Sequence, residues 1–166
     1  LPRATSPDLA PAGTRPRFLC CVDGFYKVQL YVYDMKYHPR LVEAKLGDYV
    51  RAFPCTAVVG ARQVGKSTLL QHLFADRFRS FTFDPVQDLF GARADPDLFL
   101  RNNPPPLILD EIQYAPELVP ALKRYVDAHR APGLFLITGS QQWEVMRHIS
   151  ESLAGRVAIL ELPGFA

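Results

Sequence analysis

The sequence predicts an α/β fold built on a parallel sheet, and three observations carry that reading. Short apolar runs, "LILD" at 107–110, "LFLIT" at 134–138 and "VAILEL" at 157–162, are separated by stretches of mostly helical character. Strands that alternate with helices pair in parallel and have both faces covered. The run "AVVG" at 57–60 breaks into a glycine-bounded loop, "GARQVGKS", followed at once by Leu69, Leu70, Leu73 and Phe74 at helical spacing. A buried strand before such a loop and a helix after it are the context that phosphate binding requires.

At 166 residues the chain is one domain's worth, enough to bury a core. Its 19 basic and 17 acidic residues leave a net charge of +2, and the arginines are scattered. A dedicated nucleic-acid binder shows a basic face or arm instead. Cys20, Cys21 and Cys55 have neither zinc nor disulfide-framework spacing, and no signal peptide precedes them, so the simpler expectation is a reducing, cytoplasmic setting. The apolar runs are far below the ~20 residues that span a bilayer, and no membrane partner is expected.

Along the chain, residues 1–17 hold four prolines and little to bury, which predicts a disordered tail. In "FLCCVDGFYKVQLYVYD", Asp23-Gly24 between two β-prone runs suggests a hairpin, and residues 1–36 stay otherwise unassigned. Leu41, Val42, Leu46, Tyr49, Val50 and Phe53 fit an amphipathic helix, although Gly47 weakens the pattern. Strands follow at 56–59 and, as "FTFD", at 81–84. "NNPPP" at 102–106 must be a loop, because proline cannot donate to a ladder. Pro116 is placed to start a helix over 117–129, with Leu118, Leu122, Tyr125 and Val126 on one stripe.

The chemistry concentrates at three strand ends. Gly60, Ala61, Arg62, Gln63, Val64, Gly65, Lys66, Ser67 and Thr68 would wrap phosphates. The two glycines allow a close backbone approach, Lys66 would reach the β- and γ-phosphates, and the Ser67 hydroxyl would sit on magnesium. The amides that open the following helix lack intrahelical partners, and the helix dipole favours an anion there. The competing reading is a plain strand-to-helix turn with an exposed lysine. Asp110 and Glu111 end a strand, as a nucleotide hydrolase needs: Asp110 for the magnesium shell, Glu111 to orient and deprotonate the attacking water. Alone they could equally form a solvated turn. Thr138 and Ser140 are candidates to sense the γ-phosphate, against helix N-capping by Ser140. His72, His129 and His148 have no companion ligands and read as ordinary surface or boundary residues.

Taken in order, "YHPRL", "GARQVGKSTLL", "DEIQYAPELVPALKRYVD", "LITGSQQ" and "SESLAGRVAILEL" resemble the AAA-type ATPase domain of a large prokaryotic family whose members carry a C-terminal domain of unknown function. The resemblance covers 37–162. It implies a P-loop fold in which the sensor strand lies between the loop strand and the acid-pair strand, with ATP and Mg2+ as cofactors. It also implies that Arg156, in a Gly-Arg pair, contacts the γ-phosphate of a bound nucleotide. The alternative is that Gly155 caps a helix and Arg156 begins the next strand in solvent. Arg62 is a second, weaker candidate for that contact.

Residues 1–36 have no counterpart in the resemblance, and the chain ends in "ELPGFA" where the family runs through Pro-Leu-Ser into its second domain. That domain is therefore expected to be missing. The expected activity is magnesium-dependent ATP hydrolysis coupled to it. The rivals are a nucleotide-dependent binding switch and a small-molecule kinase; no Asn-Lys-x-Asp stretch supports a GTPase. A homo-oligomer follows if Arg156 completes a neighbour's site, and DNA enters as a partner by family analogy only.

Overall fold

Cys55–Gly60 is buried at every position, as a strand covered on both faces must be, and it forms β1 of a parallel sheet. Arg79–Thr82 (β2), Leu107–Asp110 (β3), Phe135–Ser140 (β4) and Val157–Glu161 (β5) complete the five strands, in the order β2-β3-β4-β1-β5. The predicted sensor strand β4 thus lies between the loop strand β1 and the acid-pair strand β3. Register brings their ends together: Val58 faces Thr138, Gly60 faces Ser140 and Leu109 faces Ile137. The computed structural model describes residues 15, 16, 31, 32, 37–140 and 149–164.

The helices of this unit, Pro39–Ala166, include Glu43–Ala52 (α1), Lys66–Phe74 (α2), Pro96–Asn102 (α3) and Leu118–His129 (α4). The apolar stripe of α4, with Leu118 and Leu122 fully buried, joins Ala57, Val59, Leu107, Leu109, Phe135 and Ile137 in one core. Their alternate neighbours Val58, Ile108 and Leu136 point to the other face and are buried too. Among the described residues no helix is long and apolar enough to cross a membrane.

Two expectations shift. β2 covers 79–82, not 81–84: pairing begins where Arg79 N–H donates to Pro106 O at 3.2 Å. The strand is brought to a close at Asp84, whose carboxylate accepts from Val86 N–H and Gln87 N–H, each at 2.8 Å. Those two backbone donors, Gln87 first, hold the exposed Asp84 carboxyl below its ordinary range. The helix α3 is not foreseen as a distinct element, although its start is marked. Asp95 accepts from Leu98 N–H at 2.9 Å as N-cap, and Pro96 opens the first turn.

In the other unit, Leu1–His38, Arg15–Pro16 pairs antiparallel with Tyr31–Val32. The two pairs stand equally far from Asp23-Gly24, and two residues of the expected tail are therefore strand-paired. The turn itself, with Cys20, Cys21 and the remainder of 1–36, lies outside the described residues.

Candidate nucleotide site

β1 ends at Gly60, where an added Cβ would stand 2.5 Å from the carbonyl oxygen of Leu162. Only glycine fits there. Ala61, Arg62 and Gln63 are exposed, and Gln63 sits in the left-handed region at φ 62°, a conformation that costs an L-residue on the order of 1 kcal/mol. Gly65 takes φ 84° at the N-cap of α2, without a side-chain cap and with no acidic residue in the first turn. The first helical bond is Leu69 N–H to Gly65 O at 2.9 Å, so the amides of Lys66, Ser67 and Thr68 have no intrahelical acceptor. This end of α2 is a concave set of donors with a positive dipole behind it.

Lys66 is buried, and its ammonium donates to Gly60 O at 3.1 Å and Ala61 O at 2.9 Å. A buried charge needs such partners. The loop is also held from outside: the Arg40 guanidinium donates to Val64 O at 2.7 Å and to Pro163 O at 3.5 Å. Arg62 Nη2 donates to the Tyr114 hydroxyl at 3.0 Å.

Across the sheet, Asp110 is the centre of a polar network at the end of β3. Its Oδ1 accepts from Ser67 Oγ at 2.8 Å and from the Thr138 hydroxyl, and its Oδ2 accepts from Thr82 Oγ1 at 3.4 Å. Thr138 in turn accepts from Glu111 N–H at 3.0 Å. Glu111 follows the strand in the left-handed region, φ 59°, which turns its carboxylate off the strand axis. There it accepts from Gln113 Nε2. Ser67, Asp110, Thr138 and Glu111 are thus joined by hydrogen bonds, and Lys66 directly precedes Ser67 in the chain. Ser67 and Asp110 offer hard oxygen donors side by side, which suits a magnesium ion completed by phosphate and water oxygens.

Ser140 ends β4 opposite Gly60; its side chain, like residues 141–148 with His148, lies outside the described residues. Arg156 is not brought to this site. It precedes β5 at the amino end of the sheet, where Cys55 N–H donates to its carbonyl at 3.1 Å, and β1 separates it from the loop by roughly 17 Å. Its guanidinium is engaged by Asp127 and by Ala154 O at 2.9 Å. Cys55, free and buried at the start of β1, has its thiol pushed up to about 12 by burial and stays protonated at neutral pH. Four contributions were not foreseen: the amide of Gln113, the hydroxyl of Thr82, and the tethers from Arg40 and Tyr114. Arg40 lies in the "YHPR" stretch and Gln113 two residues past Glu111, so proximity in sequence to a motif was the available signal.

Comparison with known proteins agrees with this fold. A family model described as an AAA domain matches residues 52–166. Curated proteins of Mycobacterium bovis and Mycobacterium tuberculosis, both uncharacterized, are each 38% identical over 122 residues, which is 73% of this chain and 27% of theirs. The chain thus spans about a quarter of the length of these relatives. Among solved structures, the Walker-type ATPase of Pyrococcus abyssi shares the fold with a TM-score of 0.50 at 17% identity, over 74% of this chain and 52% of that one. With a parallel sheet of this order, a lysine loop at the carboxyl end of its β1 strand and a family model over most of its length, the chain belongs to a prokaryotic family of AAA domains, P-loop ATPase modules that bind nucleotide.

Proposed function

We propose that this domain is a magnesium-dependent ATPase core that hydrolyses ATP and couples the reaction to a domain C-terminal to it. The observation that carries the reading is the 2.8 Å bond between Ser67 and Asp110, which sets the phosphate loop and the acid pair at one point. In this reading the triphosphate lies along the amides that open α2, and Lys66 exchanges its loop carbonyls for β- and γ-phosphate oxygens. Ser67 and Asp110 would hold Mg2+, which when bound would neutralise charge on the phosphates. Glu111 orients the attacking water and takes its proton as the water oxygen bonds to the γ-phosphorus and the bond to the β-phosphate oxygen breaks. Thr138 ties Glu111 to Asp110, and Ser140 senses the γ-phosphate from the end of β4. Arg156 has no part in the chemistry of its own chain. Absence of a guanine-reading motif favours ATP over GTP.

Two variants test this together. Lys66→Ala should weaken ATP binding on the order of a hundredfold in calorimetry, because the charge and its position are lost at once. Glu111→Gln should bind ATP normally and lose on the order of a hundredfold or more in turnover, since an amide cannot accept the proton. Unchanged affinity in the first would end the phosphate-loop assignment. Undiminished single-turnover hydrolysis in the second would end the assignment of Glu111, and absence of hydrolysis in the parent itself would favour a nucleotide-dependent binding switch.

A further inference from the structure

We propose that Gln113 is a positioning residue for hydrolysis, one that fixes the Glu111 carboxylate toward the nucleophilic water; the inference rests on the role proposed for Glu111. Gln113 lies in the 3-10 turn Ile112–Tyr114, directly behind the acid pair, and is 8% exposed. Its Nε2 donates to Glu111 Oε2, while its Oε1 is buried with no partner among the described residues. A buried acceptor without a partner opposes folding. A side chain that served packing alone would fill this place better as methionine, which has the same length and no such acceptor. The amide is thus explained by what its other end does.

What it does follows from geometry. A glutamate side chain rotates freely about its last two bonds, and a general base works only when one oxygen points along the path of the proton. Holding Oε2 leaves Oε1 of Glu111 with a fixed direction. The turn that holds it is itself anchored: Ile112 and Ala115 are fully buried. On its far side Tyr114 receives the bond from Arg62 of the phosphate loop at 3.0 Å. The carboxylate is therefore referenced through one short rigid segment to the loop that carries the phosphates, as a preorganised site requires.

The test uses Gln113→Met in the full chain, measuring melting temperature, ATP affinity and steady-state turnover with Mg2+. The expected result is an unchanged or higher melting temperature, affinity within about twofold, and turnover lower by at least about tenfold. A structural role would not move stability and turnover in opposite senses. Gln113→Glu, which keeps the length and removes the donor, is the second variant and should lose turnover at least as far. Parental turnover in either folded variant overturns the proposal, and so does a loss of turnover that merely follows a loss of affinity. Glu111→Gln is run beside them. If it keeps parental turnover, the role of Glu111 fails and the inference with it; if it is inactive while the Gln113 variants are not, the positioning role alone fails.

Discussion

The two ends of the sheet handle polar groups in opposite ways. At the carboxyl ends of the strands Lys66, Asp110 and Thr138 are 5%, 5% and 0% exposed and are bonded to their surroundings inside the protein. At the amino ends the charged pair Arg156 and Asp127 has side chains 35% and 42% exposed. Buried polar groups oppose folding unless every one of them is bonded, whereas a pair that water reaches is nearly indifferent to being broken. The contrast shows that what distinguishes the candidate site is desolvated polar groups held in mutual register, not the number of charges. Arg156 is a charge at a strand end, as Lys66 nearly is, yet only Lys66 sits in such a network.

Substitutions at each end can break or sharpen this comparison. The largest effect is expected for Gly60→Ala, whose methyl group meets the backbone oxygen of Leu162 at 2.5 Å. Leu162 is tied to Val59 by a 2.7 Å backbone bond, so making room for the methyl has a cost, and denaturant melts should show a loss of about 3 kcal/mol, with nucleotide binding impaired as well. A wild-type melting curve would mean that the loop and the exit of β5 separate easily. Thr138→Val should come next. It preserves shape while depriving Glu111 N–H of its acceptor and Asp110 of a donor, for about 2 kcal/mol of stability and a clear fall in turnover. If it costs no more than a surface substitution, the two ends do not differ as described.

Smallest of all is Arg156→Ala, expected to change stability by less than about 1 kcal/mol and to leave ATP affinity in calorimetry unaltered. The variant also sharpens the question of assembly. Activity recovered on mixing Arg156→Ala subunits with Glu111→Gln subunits would return Arg156 to catalysis, at a neighbour's site; a mixture no more active than its parts would leave it a surface residue.

Much of the architecture was legible because it rests on local rules. β1, β3, β4, β5, α1, α2 and α4 were announced by apolar periodicity and by the glycines and prolines around them. The order of the strands was not. Nothing in the periodicity of "LFLIT" says that it inserts between β1 and β3, and that placement came from resemblance alone. β2 was misplaced by two residues because Phe81 and Phe83 look like one side of a strand, while the backbone had already begun pairing at Arg79. At the candidate site, Lys66, Ser67, Asp110 and Glu111 stand out in the sequence because nucleotide chemistry would use such groups at strand ends. Gln113 and Arg40 were hidden, since their contacts depend on a carboxylate in a left-handed turn and on a carbonyl 24 residues away. Arg156 was suggested by its motif, and only the sheet reveals that it stands at the wrong end for its own loop.

The contact between Gly60 and Leu162 has a mechanical meaning. Leu162 N–H also donates to Val59 O at 2.7 Å, and Arg40 clasps Val64 O and Pro163 O with one guanidinium. The first residue of the loop, its middle and the stretch where the chain leaves the sheet are consequently members of a single linkage, with too little room between Gly60 and the carbonyl of Leu162 for a methyl group. A displacement of the loop would therefore load both the end of β1, which is buried on its two faces, and residues 162 and 163, where the chain leaves the sheet.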